Sequence, residues 1–312
     1  MFRSSERLRL TLFSLLICLL PPALPNNYLL MTMNIAGLNM LIATGLNLLM
    51  GYAGQTSLGH AAFFGIGAYL SAILTTTFHV PVWPAMLIAL LATAGVAAAI
   101  GIPTLKLEGH YLVMATLGFN VIVYIVMVQF STVTGGPSGL AGIPHPSIAG
   151  VVFDSDIKIY YLFWSIAIGV LMLFLNLVHS RTGRAMAALS HNEIAARCAG
   201  INTEFYKIRI FIISAMTASL AGSLYASYIT FISPGTFSIF FSIQVVTMVL
   251  VGGMGSLWGS ALGAVFLTLL PECLYGVKEY SALVYGGILL CVLMFFPKGL
   301  FPGIAAVFRK QP

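Results

Sequence analysis

Side chains able to do acid–base, nucleophilic or metal chemistry are few in this chain, and they are scattered. It carries eight Asp+Glu and six His in 312 residues. Its four cysteines, Cys18, Cys198, Cys273 and Cys291, are far apart, without a CxxC pair or zinc-type spacing. Neither a metal site nor a disulfide framework is expected. No GxxxxGK[ST] phosphate loop occurs, so the chain does not cradle a nucleotide by that route. No nucleophile stands beside a base. An ion-coupled pump usually carries ionisable residues inside its apolar runs. Here Glu108, Glu272 and Glu279 fall near run ends, and His60 and His110 are isolated. A lone histidine of this kind reads first as a hydrogen-bonded packing residue and second as a proton relay.

The chemistry that does concentrate is charge. Between His179 and Arg209 the chain runs HSRTGRAMAALSHNEIAARCAGINTEFYKIR, its longest polar interval. Five of the 14 Lys+Arg lie there (Arg181, Arg184, Arg197, Lys207, Arg209), with Glu193 and Glu204. Asn192 is placed to cap a helix, and Glu193 falls in the first turn, where the helix dipole favours an anion. Ala195, Ala196 and Ala199 follow at helical spacing, and Gly200 is a stop signal. The spacing predicts a short amphipathic helix with a small-residue face, outside any membrane. It reads either as an ordinary loop helix or as a surface on which another protein pushes.

The elements that position this interval are membrane spans. Hydrophobic residues make up 59% of the chain, charged residues 7%, and mean hydropathy is +1.00. Soluble domains carry roughly 25% charged residues. The composition predicts an all-α, polytopic helical membrane protein. A spanning helix needs about 20 apolar residues. Ten apolar segments are expected, at 8–25, 28–50, 57–77, 81–103, 111–133, 160–178, 208–232, 238–254, 256–275 and 281–297, some of them partly re-entrant. The eighth and ninth read either as two segments or as one helix broken at GGMG. The basic start (Arg3, Arg7, Arg9) and apolar Leu10–Leu20 lack a small-x-small cleavage site, so a retained first helix is expected rather than a signal peptide.

Charge then sets the topology. With both termini and the 179–209 loop inside, Lys106, Lys298, Arg309 and Lys310 also fall inside, as the positive-inside rule asks. The net charge of +6 is thereby explained without nucleic acid. The 134–159 interval falls outside, with Asp154, Asp156 and Lys158 as its charges. The whole chain, 1–312, reads as one transmembrane domain containing these two loops.

Two small-residue stripes at spacing four, Ala89/Thr93/Ala97/Gly101 and Ser214/Ala218/Gly222/Ala226, predict close helix–helix packing, with pore lining as the lesser alternative. Two glycine-rich stretches resemble one another: GYAGQTSLGHAAFFGIGAYL (Gly51–Leu70) and GGMGSLWGSALGAV (Gly252–Val265). Paired glycine interruptions mark transport paths, because a broken helix exposes backbone polar groups. Gly54, Gln55, Ser57, Gly59 and His60 in the first, with Gly252, Gly253, Gly255 and Ser256 in the second, are the candidate path residues.

Seven blocks in order then resemble a known family, the membrane subunits of bacterial ABC importers for branched-chain amino acids, of the LivM type. They are GLNLLMGYAGQTSLGHAAFFGIGAY (Gly45–Tyr69), GHYLVMATLGF (Gly109–Phe119), TGGPSGLAGIP (Thr134–Pro144), NEIAARCAGIN (Asn192–Asn202), LAGSLYA (Leu220–Ala226), VLVGGMGSLWGSALGA (Val249–Ala264) and FPKGLF (Phe296–Phe301). The resemblance implies an inner-membrane permease without enzymatic activity or cofactor of its own. It implies a second, LivH-type permease subunit, two cytoplasmic ATPases that bind ATP and magnesium, and a periplasmic solute-binding protein. The 179–209 loop is similar to the loop whose helix couples such permeases to the ATPase. Carried over, Asn192, Glu193, Ala195, Ala196, Arg197 and Gly200 form the coupling helix. The match departs from the general pattern, since Ile194 replaces the first alanine and Gly200 comes one residue late. Gly135, Gly136, Gly139, Gly142 and Pro144 then either face the binding protein and the outer gate or form a rigid turn. Urea or short amides are alternative solutes within the family. A stand-alone ion-coupled transporter or channel is the alternative class, and an intramembrane enzyme lacks a catalytic pair.

Overall fold

The structure is a computed structural model that describes residues 4–21, 27–105, 107, 109–148, 151–273, 286, 287, 290, 294, 299–301 and 303. Expectations for Arg3, Lys106, Glu108, Glu279, Cys291, Lys298, Arg309, Lys310 and most of segment 281–297 lie outside these residues. The order is α1 (Ser4–Leu19), α2 (Asn27–Asn47, widening into a π turn at Leu48–Tyr52), α3 (His60–Thr76), α4 (Val82–Thr104) and α5 (His110–Gln129). There follow α6 (Ser131–Thr134), β1 (Leu140–Ala141), β2 (Ser147–Ile148), β3 (Val151–Val152), α7 (Asp156–Val178), α8 (Arg181–His191) and α9 (Glu193–Cys198). The described chain continues through α10 (Thr203–Ile229), β4 (Phe231–Ile232), α11 (Ile239–Gly252) and α12 (Leu257–Cys273).

Among the described residues five helices are long and apolar enough to cross a membrane: Asn27–Tyr52, Val82–Thr104, His110–Gln129, Asp156–Val178 and Thr203–Ile229. Four apolar helices among the described residues are shorter, at Leu8–Leu19, His60–Thr76, Ile239–Gly252 and Leu257–Glu272. The apolar runs predicted longer elements, and backbone geometry accounts for the difference. Residues 54–59 are irregular, with Gly54 at φ 69°, so α3 begins only at His60; its 17 residues reach about 25 Å, short of a typical hydrocarbon core. Segments eight and nine are separate helices, parted by Gly253 and Gly255 at positive φ (116° and 76°).

The loops gather at two ends. Glu6 of α1 accepts from Trp258 Nε1 (2.8 Å), Gly54 abuts Ser190 of α8, and Gly51 abuts Gly255. The start of α1, the α2–α3 and α11–α12 breaks and the 179–209 loop therefore share one end. Gly299, against Gly253, returns there too. At the other end β1 pairs with β4, Trp83 Nε1 donates to the Ser147 carbonyl (2.7 Å), and Tyr28 donates to Glu272 (2.8 Å). This arrangement puts six apolar helices, α1 to α5 and α7, between the start of α1 and the 179–209 loop.

The centre is α2, α3 and α10. In lipid no hydrophobic drive brings helices together, so close backbone approach and hydrogen bonds must do it. Along α2 three asparagines reach other elements. Asn34 Nδ2 donates to the Asp156 carbonyl and Tyr228 Oη (both 3.2 Å). Asn39 donates to Thr268 Oγ1 (2.9 Å), and Asn47 donates to the Ser256 carbonyl (2.8 Å) and Ser260 Oγ (3.0 Å). Between α3 and α10 the backbones nearly touch. A Cβ on Gly222 would overlap the Phe64 carbonyl, and one on Gly67 would overlap the Ser219 backbone. The stripe Ala89/Thr93/Ala97/Gly101 is buried, with Thr93 donating to Ser219 of α10 (2.9 Å) and Gly101 facing Phe211. The second stripe, Ser214/Ala218/Gly222/Ala226, is buried as well. Both pack helix on helix.

A Gly222→Val change should cost about 3 kcal/mol or more, since backbone cannot yield as a side chain tip does. Gly169→Ala, where nothing lies within 4 Å, should be neutral or slightly stabilising. Thermal unfolding of the detergent-solubilised variants, read by intrinsic fluorescence, separates these outcomes.

Candidate functional site

The polar interval is an assembly of local caps. Ser180 Oγ accepts from Thr182 N (3.1 Å) and starts α8, which buries Gly183, Met186 and Leu189 on one face. Asn192 Oδ1 accepts from Ala195 N (3.0 Å) and starts α9. Gly200, at φ 80°, ends it: Gly200 N donates to the Arg197 carbonyl (3.0 Å) and Ile201 N to the Ala196 carbonyl (3.1 Å). This double closure is the left-handed C-terminal motif glycine permits. Asn202 Oδ1 then accepts from Phe205 N (3.1 Å) and opens α10. Asparagine and glycine thus fix both ends of a six-residue helix too short to hold itself.

Glu193 ties that helix down. Its carboxylate accepts from Arg197 Nη2 (2.8 Å) within α9 and from Lys207 Nζ on α10. Arg197 Nε also donates to Thr203 Oγ1 (2.9 Å). Partial burial pushes the Glu193 carboxyl up, but the hydrogen bond and charge of Lys207, then those of Arg197, outweigh it and hold the pKa below its ordinary 4.5. The Lys207 side chain is only 8% exposed, so Glu193 is its neutraliser. Of the remaining residues chosen from sequence, Ala195, Arg197 and Gly200 are exposed, whereas Ala196 is buried. The outward apolar residue is Ile194, 75% exposed, which had been noted only as a departure from a pattern.

The first glycine-rich stretch meets this assembly. Gln55 is buried, and neither its Oε1 nor its Nε2 has a partner among the described residues. With Gly54, Ser190, Glu193 and Lys207 it lines a cavity of about 170 Å³. Ser57 Oγ accepts from Gly59 N (3.3 Å), and Gly59 packs on Thr116 of α5. His60 lies within the helix interface. Ser214 Oγ donates its one proton to the Gly45 carbonyl (2.7 Å), so His60 Nε2 is the donor to Ser214 Oγ (2.6 Å). In the second stretch Gly252 packs against Gly259, and Ser256 Oγ caps α12 by accepting from Gly259 N (3.1 Å). Gly255 N donates to Asn47 Oδ1 (3.0 Å). Asn47 therefore pins one break to the other with both ends of its amide. Sequence reasoning passed over it, although an asparagine inside an apolar run was the signal.

At the opposite end Gly135, Gly136, Gly139 and Gly142 all have positive φ (75°, 58°, 76° and 81°). Thr134 Oγ1 donates to the Met127 carbonyl (2.7 Å), and Leu140 pairs with Ile232. Pro144 is exposed and lines an open depression of about 590 Å³ with His79 and His145. The segment is a glycine-built turn with a concave outer surface. No group of three or more His, Cys, Asp or Glu able to hold a metal exists among the described residues.

Residues 28–293 match the family model of the branched-chain amino acid transport system permease component. The chain belongs to this family. It is 34% identical over 297 residues to the high-affinity branched-chain amino acid transport system permease protein LivM of Escherichia coli, covering 87% of this chain and 70% of that protein. It is 27% identical over 284 residues to the permease protein BraD of Pseudomonas aeruginosa (83% and 90%). It is also 27% identical over 296 residues to the autoinducer 2 import system permease protein LsrC of Salmonella typhimurium (90% and 83%). No solved structure matches. This permease is a multi-pass membrane protein and a component of a transport system.

The Glu193 clasp predicts a pH signature in the permease. A carboxyl whose pKa is depressed on folding adds stability that is full above its ordinary value and lost as pH falls through the folded value. Glu193→Gln should therefore be less stable than the native chain by about 1–2 kcal/mol above pH 4.5, with the gap closing below it. Denaturation midpoints across pH check this.

Proposed function

We infer that this permease is the passive subunit of an ABC importer for the branched-chain amino acids Leu, Ile and Val. It works beside a second permease subunit in the bacterial inner membrane. ATP and magnesium are bound by two cytoplasmic ATPase subunits, and solute arrives from a periplasmic binding protein at the glycine-built turn. The observation that carries this reading is the mounting of α9. The helix presents Ile194 outward and is tied through Glu193 to Lys207 of α10, whose backbone is seated on α3. A force on Ile194 and Ala195 is thus delivered to a central helix pair. The path runs along the two glycine breaks, next to the cavity that Gln55 and Glu193 share.

Charge supports the orientation. Arg9, Arg181, Arg184, Arg197, Lys207 and Arg209 gather at the α9 end, whereas Lys158 at the other end is paired with Asp154 (2.9 Å). The α9 end is therefore cytoplasmic, with the N-terminus. The substrate follows the family description and the LivM and BraD relatives. The likeness to an autoinducer 2 permease at similar identity to BraD supports a body whose solute is selected largely by the delivering protein.

Two measurements test the reading. Cys198 is exposed on α9. An impermeant maleimide should label it in inside-out but not right-side-out vesicles, and bound ATPase subunits should protect it. Ile194→Glu, which puts a charge into the docked face, should lower leucine uptake and solute-stimulated ATP hydrolysis by about tenfold or more. Labelling from the periplasmic side, or full activity in Ile194→Glu, would refute the coupling assignment.

A further inference from the structure

Halfway along α5 lies a polar residue that neither the helix packing nor the proposed lever explains. Asn120 is 1% exposed, ten residues into α5, so about 15 Å from its start. Its Nδ2 donates to Ser242 Oγ (3.3 Å) on α11, and the same oxygen accepts from Ala61 N (3.0 Å) in the first turn of α3. Its carbonyl Oδ1 has no partner among the described residues. The side chain lines a cavity of about 250 Å³ between α5 and α11, with Val121, Tyr124, Ser238, Ile239 and Phe240. The mouth is open, since Phe240 is 77% exposed and Tyr124 37%.

Lipid does not suit this mouth. An amide oxygen without a partner at mid-membrane depth is costly in hydrocarbon, where nothing can donate to it. Three elements also converge there, two of which, α3 and α11, are shorter than a span. Helices that start inside the membrane are tolerated where they line a cavity rather than face lipid. The available chemistry is the neutral amide oxygen of Asn120, with the hydroxyls of Ser238 and Tyr124, beside a recess otherwise lined by hydrocarbon. It suits a small solute with an N–H donor, such as an ammonium group, attached to an apolar side chain.

We propose that Asn120 and the adjoining α5–α11 cavity form a solute station in the translocation path. Asn120 Oδ1 accepts a hydrogen bond from the α-ammonium group, and Val121, Tyr124, Ile239 and Phe240 hold the aliphatic side chain. This deepens the importer reading and rests on it for the identity of the solute. A neutral acceptor holds the ammonium without the strong attraction of a carboxylate, as a conducting site requires.

The test uses the complete importer in proteoliposomes, with binding protein, leucine and ATP. Asn120→Leu, similar in size but without an acceptor, should lower the maximal uptake rate by about tenfold. Asn120→Thr, which keeps an oxygen, should retain most of it. Independently of folding effects in those variants, Tyr124→Cys should react with a charged, water-soluble methanethiosulfonate. It should react much faster than Leu91→Cys on the exposed face of α4, and leucine-loaded binding protein should slow it. Leu91 is 60% exposed. Native uptake in Asn120→Leu, or equal inertness at both cysteines, overturns the station. Failure of the native importer to carry leucine, isoleucine or valine instead overturns the solute reading, and the labelling contrast still decides whether the cavity belongs to a water-filled path.

Discussion

The contact on which the rest depends is the backbone-to-backbone seating of α10 on α3. Phe64 and Ala68 of α3 lie where any side chain on Gly222 would stand, and Ser219 lies where one on Gly67 would stand. Lipid supplies no hydrophobic force to hold two helices at such range, so contact area and short polar bonds must. Ser223 Oγ donates to the Gly67 carbonyl (3.0 Å), and Ser214 receives His60. Two helices fitted this closely move together or not at all, because an interface of this kind has discrete fits rather than a soft range. The short helix α3 is thereby given the stiffness that its length alone would not confer.

That seating explains the value of a tethered α9. A six-residue helix has little intrinsic stability, and its caps fix its ends without fixing its position. Position comes from Glu193, held between Arg197 on its own helix and Lys207 on α10. Because Lys207 is nearly enclosed, separating the pair would strand a buried cation, which costs more than an exposed ion pair is worth. On the proposed reading, force applied at α9 enters α10 through this joint before it reaches any loop that could absorb it.

How much of this could be read from sequence divides along one physical line. Features determined within a few residues were legible. Asn192 and Gly200 act through hydrogen bonds to backbone three to five positions away, and both ends of α9 fall where those residues put them. The small-residue stripes were legible too, since spacing four needs only helical geometry. What escaped were long-range partners. Asn47 differs from any other apolar-run asparagine only in meeting Gly255, Ser256 and Ser260, more than 200 residues later. Asn120 escaped for the same reason. The inward turn of Ala196 and outward turn of Ile194 could not be read either, because six residues carry too little periodicity to name a buried face. Apolar runs also blurred helix bounds: residues 57–59 precede the first turn of α3, and the run to residue 133 crosses the break at Phe130 between α5 and α6.

A chain of contacts then joins the lever to the cavity beside Asn120. It passes from Glu193 to Lys207 on α10, along α10 to Ser214, across to His60, and from Ala61 to Ser242 and Asn120. Contiguity alone does not make a transmission route; some element must have two arrangements that both sites bias. The joints differ in how readily they are given up. Ser214 is held by two bonds of 2.6 and 2.7 Å, whereas Asn120 meets Ser242 at 3.3 Å, the longest in the series. The first can carry displacement; the last can be exchanged. If α3 and α10 move as one body, Ser242 keeps its bond to Ala61 and leaves Asn120, freeing that amide at the moment the cavity changes shape. On the proposed reading the Nδ2 donor lets go of the neighbouring helix while Oδ1 stays free to accept from a passing solute, so the α5–α11 contact is the joint able to yield in a gate without its own energy source.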